Sequence, residues 1–250
     1  MSRKMKNNEL RQLYDKWHAI QHGTDNTSEI HMDPWHRNVI KYIGDFSTFK
    51  NKNILDIGTG PGDFALFISD YAKSTAAIDF SENAIGIARG KATVQNKEIL
   101  FEVADAMDLP FENQTFDVVF SFECLEHVPE PVKMIKECYR VLRKGGKLYI
   151  TTENYSNGLI ILWIRAWITG RKFNSGTDQP YENFFVYWSL LKKFRKSGFK
   201  LINYFGSHHV FLVLPGMHPH RFVIDSFSNK LFKKLFKPLA RHMTYVLEKQ

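Results

Sequence analysis

One octapeptide, Leu55-Asp56-Ile57-Gly58-Thr59-Gly60-Pro61-Gly62, carries the clearest chemical signal in this 250-residue chain. Glycine at 58, 60 and 62 lets the backbone turn tightly and approach a ligand with no Cβ in the way. The helix expected after it supplies unpaired N–H groups and the positive end of its dipole. The spacing is G-x-G-x-G, which is neither the dinucleotide fingerprint G-x-G-x-x-G nor a phosphate loop ending in G-K-[ST]. Asp79 ends the next β-rich run, where a carboxylate accepts both hydroxyls of a ribose. Asp105 ends the one after, placed to accept from an exocyclic amine. Together with Asp56, they put three carboxylates along the carboxyl edge of a sheet, where open α/β folds bind ligands.

A second constellation is Glu123-Cys124-Leu125-Glu126-His127. A helix beginning there would bring positions i, i+3 and i+4 to one face, so that Glu123, Glu126 and His127 converge. Two carboxylates and an imidazole hold a divalent cation such as Mg2+ with positions left open. His127 is also a candidate general base for an acceptor hydroxyl. The pairs His18/His22, His31/His36, His208/His209 and His218/His220 lack an accompanying ligand pattern and read as surface or substrate-pocket histidines.

These side chains need a frame, and the hydropathy pattern supplies one. Strands are expected at Asn53–Ile57, Thr75–Asp79, Ile99–Val103, Phe116–Phe120 and Lys147–Thr151, with helices between them over Phe64–Ala72, after an N-cap at Ser81, and over Pro131–Leu142. Gly145-Gly146 is expected to end the last helix. Beyond Thr152, a helix is expected over Phe184–Ser197 and strands at Lys200–Phe205 and Met243–Leu247. The alternation predicts a parallel α/β sheet.

In that frame, several segments look like consecutive motifs of the class I S-adenosylmethionine-dependent methyltransferases. They are Ile54–Gly62, Ala77-Ile78-Asp79-Phe80-Ser81, Ala104–Phe111, Phe116-Asp117-Val118-Val119 and Leu142–Leu148. The resemblance covers roughly residues 50–152 in the family's order. It implies a Rossmann-like, seven-stranded, mostly parallel sheet with helices on both faces, the last strand antiparallel, and helical insertions after strand 5 and near the C-terminus. It also implies a cofactor site of Asp56, Gly58, Gly60, Gly62, Asp79, Phe80, Asp105, Ala106 and Phe122, with Gly58 and Gly60 against the methionine part, Asp79 on the ribose, and Asp105 and Ala106 at the adenine. Thr59 stands where the family often has Cys or Ser. Tyr14, Trp17 and Trp35-His36-Arg37 resemble the family's N-terminal cover, with Arg37 available to the methionine carboxylate. Ser121-Phe122-Glu123-x-x-Glu126-His127 is similar to a segment of the ubiquinone-biosynthesis O-methyltransferases, where such a trio binds a metal. The implied organisation is a helical cover over 1–49, a cofactor-binding core over 50–152, and substrate-side insertions with closing strands over 153–250.

The net charge of +8 is unevenly spread. Residues 1–150 hold 19 basic and 21 acidic side chains, and residues 151–250 hold 15 and 5. The excess therefore lies in the last hundred residues, beside Trp163, Trp167 and the basic aromatic stretch Phe222–Lys237. That stretch reads as a lid packed on the sheet, with contact to an anionic membrane surface as the alternative. Two cysteines cannot make a disulfide scaffold, and no apolar stretch approaches the roughly 20 residues that span a bilayer. A cytoplasmic protein is expected, peripheral to a membrane if that alternative holds. Nucleic acid is disfavoured as a partner, because no N-P-P-Y or Pro-Cys motif and no single-strand binding module accompanies the charge. The expected activity is methyl transfer to a small-molecule or lipid-linked acceptor, most naturally at oxygen. An RNA methyltransferase and a non-catalytic membrane- or partner-binding protein of the same fold are the alternatives.

Overall fold

The computed structural model describes residues 7–22, 30–154, 167–168, 170, 180–207, 240 and 242–250. Seven strands form one sheet: β1 (Asn53–Ile57), β2 (Ser74–Asp79), β3 (Leu100–Val103), β4 (Phe116–Ser121), β5 (Leu142–Glu153), β6 (Phe199–Ser207) and β7 (His242–Lys249). Their order is β3-β2-β1-β4-β5-β7-β6. β7 is antiparallel to both of its neighbours and the other pairs are parallel. The helices are α1 (Asn7–His22), α2 (Pro34–Ile43), α3 (Asp63–Ser69), α4 (Glu82–Val94), α5 (Pro131–Val141) and α6 (Tyr187–Lys196).

Side chains alternate across a strand, and β1 shows what this does. Leu55 and Ile57 face a core built with α5 and α6, where Met134, Ile135, Cys138, Leu190, Phe194 and Tyr245 are buried. Ile54 faces the opposite core, with Phe49, Phe64, Phe120 and Val246. A strand buried on both faces reads as a continuous apolar run, and Asp56 is the polar exception. A third cluster under α3 and α4, with Ala77, Ile85, Ala88 and Phe101, packs the β2–β3 end. Lys91 and Asp63 form a buried ion pair at 2.8 Å that ties α4 to the first turn of α3.

The seven-stranded sheet and its antiparallel seventh strand match expectation, and element ends differ in instructive ways. α5 stops at Val141 rather than at Gly145-Gly146. The two glycines instead serve a bulge: β4 advances from Phe116 to Val118 while β5 advances from Leu142 to Lys147. Gly145 adopts φ +74° there, and a Cβ on Gly146 would lie 2.8 Å from the Arg143 carbonyl. Residues 159–166 and 222–237 lie outside the described residues, as do His208, His209, His218 and His220. Trp167 and Ile168 are exposed. No helix among the described residues is long and apolar enough to cross a membrane.

Candidate active site

The strand order reverses between β1 and β4, which opens a crevice beyond their carboxyl ends. The glycine loop fills its floor. Gly58, Gly60 and Gly62 all have positive φ, at 74°, 54° and 82°. Their reasons for being glycine differ. A Cβ on Gly58 would lie 2.6 Å from Cys124, and one on Gly62 would lie 2.7 Å from the Ala88 Cβ. Both are therefore demanded by protein packing. Gly60 meets only the His18 ring, 3.8 Å from a built Cβ. It is the glycine that leaves the loop backbone open to a ligand.

Asp79 anchors the loop. Its Oδ2 accepts from the Gly60 N–H and its Oδ1 from the Ser81 N–H, each at 2.9 Å. Asp56 sits beneath, accepting from the Thr59 hydroxyl at 2.7 Å. Burial first, and then the nearby Asp79 charge, push the Asp56 carboxyl up to about 7 against the Thr59 hydrogen bond. Asp105 accepts from the Met107 N–H at 2.8 Å at the end of β3, and Ala106 is buried beside Met107. Phe122 packs edge-on against Phe64 and His36.

Helix α1 crosses the crevice. Asp15 accepts from the Ser81 hydroxyl at 2.7 Å, beside the start of α4, where Ser81 caps the Ala84 N–H. The Tyr14 hydroxyl donates to the His127 carbonyl at 3.2 Å on the far side. Between them, the Tyr14 ring meets Phe80 edge-on and the Arg11 guanidinium lies over the same ring. His18 Nε2 is 4.0 Å from Asp79. Burial pulls the His18 pKa down against the pull of Asp79 and Asp15. Arg37, by contrast, is exposed on α2. Its neighbour His36 is the residue turned inward, stacked on Phe64 and accepting from the Asp33 N–H at 3.2 Å in a capping box. Burial lowers the His36 pKa to about 4, so the ring is neutral.

The Glu123–His127 segment is not the helix the spacing predicts. Glu123 has φ +45°, and only a short 3-10 turn follows, over Leu125–His127. The helical face therefore does not form, although the Glu123 and Glu126 carboxyls still lie beside each other. His127 Nδ1 lies 2.8 Å from the Tyr181 carbonyl. A carbonyl only accepts, so Nδ1 carries the proton and Nε2 keeps the lone pair. Burial, outweighing that carbonyl, lowers the His127 pKa. Glu126 is buried and accepts from the Thr152 hydroxyl at 2.9 Å. Burial and the Glu123 charge hold its carboxyl well above the usual carboxylate range. Glu123 instead meets two residues that spacing does not reveal, Glu153 and His242. The three ligand atoms lie within 4.8 Å of one another, and this is the one such group among the described residues.

Residues 55–150 match the methyltransferase domain family. A ubiquinone biosynthesis O-methyltransferase of Coxiella burnetii is 36% identical over 115 residues, which are 46% of this chain and 49% of the relative. The chain thus spans about half the length of that relative. A demethylmenaquinone methyltransferase of Lactococcus lactis is 29% identical over 214 residues, covering 79% of this chain and 81% of its own. Among solved structures, the cyclase SpnF superposes with a TM-score of 0.68 at 18% identity, over 98% of this chain and 97% of its own. That likeness concerns the fold alone. Motif order, strand order and the family match agree over residues 55–150: this segment carries the methyltransferase domain of the class I S-adenosylmethionine-dependent methyltransferases.

Proposed function

We propose that the protein transfers the methyl group of S-adenosylmethionine to an oxygen of a small-molecule or lipid-linked acceptor. The observation that carries this reading is the sequence of groups along one crevice: the open backbone at Gly60, the Asp79 carboxylate bound to it, and a neutral, oriented His127 at the other side of α1. When bound, S-adenosylmethionine supplies an electrophilic methyl on a sulfonium. The chain's own work is then to hold the reactants in line and exclude water.

The residues fit that cofactor. Asp79 would hold the ribose hydroxyls and Asp105 an exocyclic amine, with Phe80 and Ala106 at the adenine, and Gly58, Gly60 and Gly62 shape the loop with Asp56 beneath. Helix α1 would cover the bound molecule from the side of His18 and Tyr14, held there by Asp15 on Ser81. His127, its Nδ1–H fixed on Tyr181, takes a hydroxyl proton at Nε2. A basic amine would not need this help, which favours oxygen as the nucleophile. Residues 153–250 form the acceptor side in this reading. A membrane-borne acceptor is favoured by one observation: Trp188 is 67% exposed on the same helix as Lys192, Arg195 and Lys196, beside an aromatic groove that includes Leu201 and Tyr204.

The test is transfer of labelled methyl from S-adenosylmethionine to hydroxyl-bearing acceptors, polar and lipid-extractable, with wild type and His127→Gln. We expect label in an ether product and a fall of about 10²-fold or more in turnover with the variant. Label appearing only on nitrogen, at equal rates in both proteins, would contradict the oxygen assignment.

A further inference from the structure

The geometry points to a divalent-cation site made by Glu123, Glu153 and His242, at the end of β5 and the start of β7. Glu153 and His242 are direct antiparallel partners, the last residue pair of the β5–β7 ladder. Opposed residues of an antiparallel pair send their side chains to the same face. Glu123 arrives from the loop after β4, where its N–H reaches both the Thr151 carbonyl, at 3.3 Å, and the Thr151 hydroxyl, at 3.1 Å. The left-handed backbone at Glu123 is held by those contacts. Three separate strand ends therefore deliver two carboxylates and one imidazole to a single corner.

Two observations indicate that the corner is built for a ligand. Glu123 Oε2 meets His242 Nδ1 at 3.1 Å, while Oε1 of the same carboxylate is buried with no N–H or hydroxyl donor bonded to it, the raised Glu126 carboxyl being the acid beside it. A buried carboxylate oxygen without a donor is costly, and a cation removes that cost. The imidazole is also held in position, stacked under the Trp35 indole at 5.4 Å between centroids. Bonds of about 2.1 Å to a shared cation place donor atoms roughly 3 to 4 Å apart, so the observed group needs only small side-chain adjustments. Mixed carboxylate and imidazole donors suit Mn2+ or Zn2+ better than Ca2+. Three protein ligands leave positions for water or an acceptor oxygen. This set replaces the Glu123, Glu126 and His127 trio expected from spacing, and it stands independently of the acceptor's identity.

The test uses the full chain and Mn2+ alone, with no cofactor or acceptor present, so its outcome is separate from that of the methyl-transfer reading. Electron paramagnetic resonance is expected to count one bound Mn2+ per chain, with spin-echo coupling to one imidazole nitrogen. Glu153→Gln and His242→Gln should each weaken binding at least tenfold, and His242→Gln should abolish the nitrogen coupling. Glu153→Asp, which keeps the charge but shortens the arm, serves if Glu153→Gln does not fold, with the same tenfold loss expected. His127→Gln should leave both affinity and coupling unchanged. No bound Mn2+ at 1 mM metal, as an order-of-magnitude ceiling for a specific site, would overturn the proposal. So would a nitrogen coupling lost in His127→Gln and kept in His242→Gln.

Discussion

The Gly60 N–H donates to Asp79 Oδ2 at 2.9 Å, so the carboxylate that ends β2 also holds the loop that follows β1. One side chain thereby couples the shape of the glycine loop to the acid proposed for the ribose. Affinity and loop order should fail together when it is removed.

Asp79→Ala leaves two backbone N–H groups, those of Gly60 and Ser81, without their acceptor. We expect a loss of about 1–3 kcal/mol of stability and a cofactor affinity at least about tenfold weaker, since 1.4 kcal/mol is already tenfold. Thermal unfolding and titration calorimetry read the two effects separately. Unchanged affinity in a folded variant would remove Asp79 from the site.

The glycines should separate by their surroundings. Gly58→Ala forces a Cβ to 2.6 Å from Cys124 at φ +74°, and should cost about 2 kcal/mol or more. Gly86 lies within α4 with nothing near a built Cβ, so Gly86→Ala should raise stability by about 0.5–1 kcal/mol. Denaturant melts of the two variants give the comparison. Equal effects would mean that the loop tolerates a side chain at Gly58.

Stability should also depend on pH through Asp56. Its carboxyl is pushed up to about 7 in the folded chain, from an ordinary 3.8. The folded state therefore holds its proton more tightly than the unfolded state, and stability falls as pH rises from about 4 to about 7. At about 1.36 kcal/mol per pH unit, the full effect is on the order of 4 kcal/mol. His36 acts in the opposite sense: its pKa falls to about 4, so its contribution is lost as pH drops through 6.5 toward 4. Comparing wild type with Asp56→Asn cancels the His36 term. Urea unfolding at pH 5, 6 and 7.5 should show a steeper decline in wild type, and parallel curves would contradict the shifted carboxyl.

Much of the crevice at the carboxyl edge of the sheet was legible in the sequence because its signals are local. Gly58 to Gly62, Asp79 and Asp105 each sit at the end of a strand whose apolar run marks it, so position follows from periodicity alone. What escaped depends on register. Glu153 and His242 are 89 residues apart in the chain and meet only because β5 and β7 pair antiparallel with those two residues opposed. The helix assumed at Glu123 is absent for a related reason: a left-handed Glu123 held by Thr151 prevents one. Gly145-Gly146 read as a helix stop because that is the commoner use of such a pair, whereas the close approach of Asp117 and Arg143 carbonyls makes it a bulge.

The helix over the crevice gives a further expectation. Tyr14→Phe removes the hydrogen bond to the His127 carbonyl, and Asp15→Ala removes the acceptor for the Ser81 hydroxyl. With the anchors on both of its sides loosened, α1 should close less completely, and the double variant should release cofactor several-fold faster. Stopped-flow dissociation measures this directly. An unchanged release rate would mean that α1 does not gate the crevice.

Titration calorimetry of the full chain decides whether this crevice holds S-adenosylmethionine. We expect one site per chain and saturation well below millimolar ligand, with Asp79→Ala weakened at least about tenfold. No binding heat at millimolar S-adenosylmethionine, from a chain shown to be folded and at more than one temperature, would contradict it.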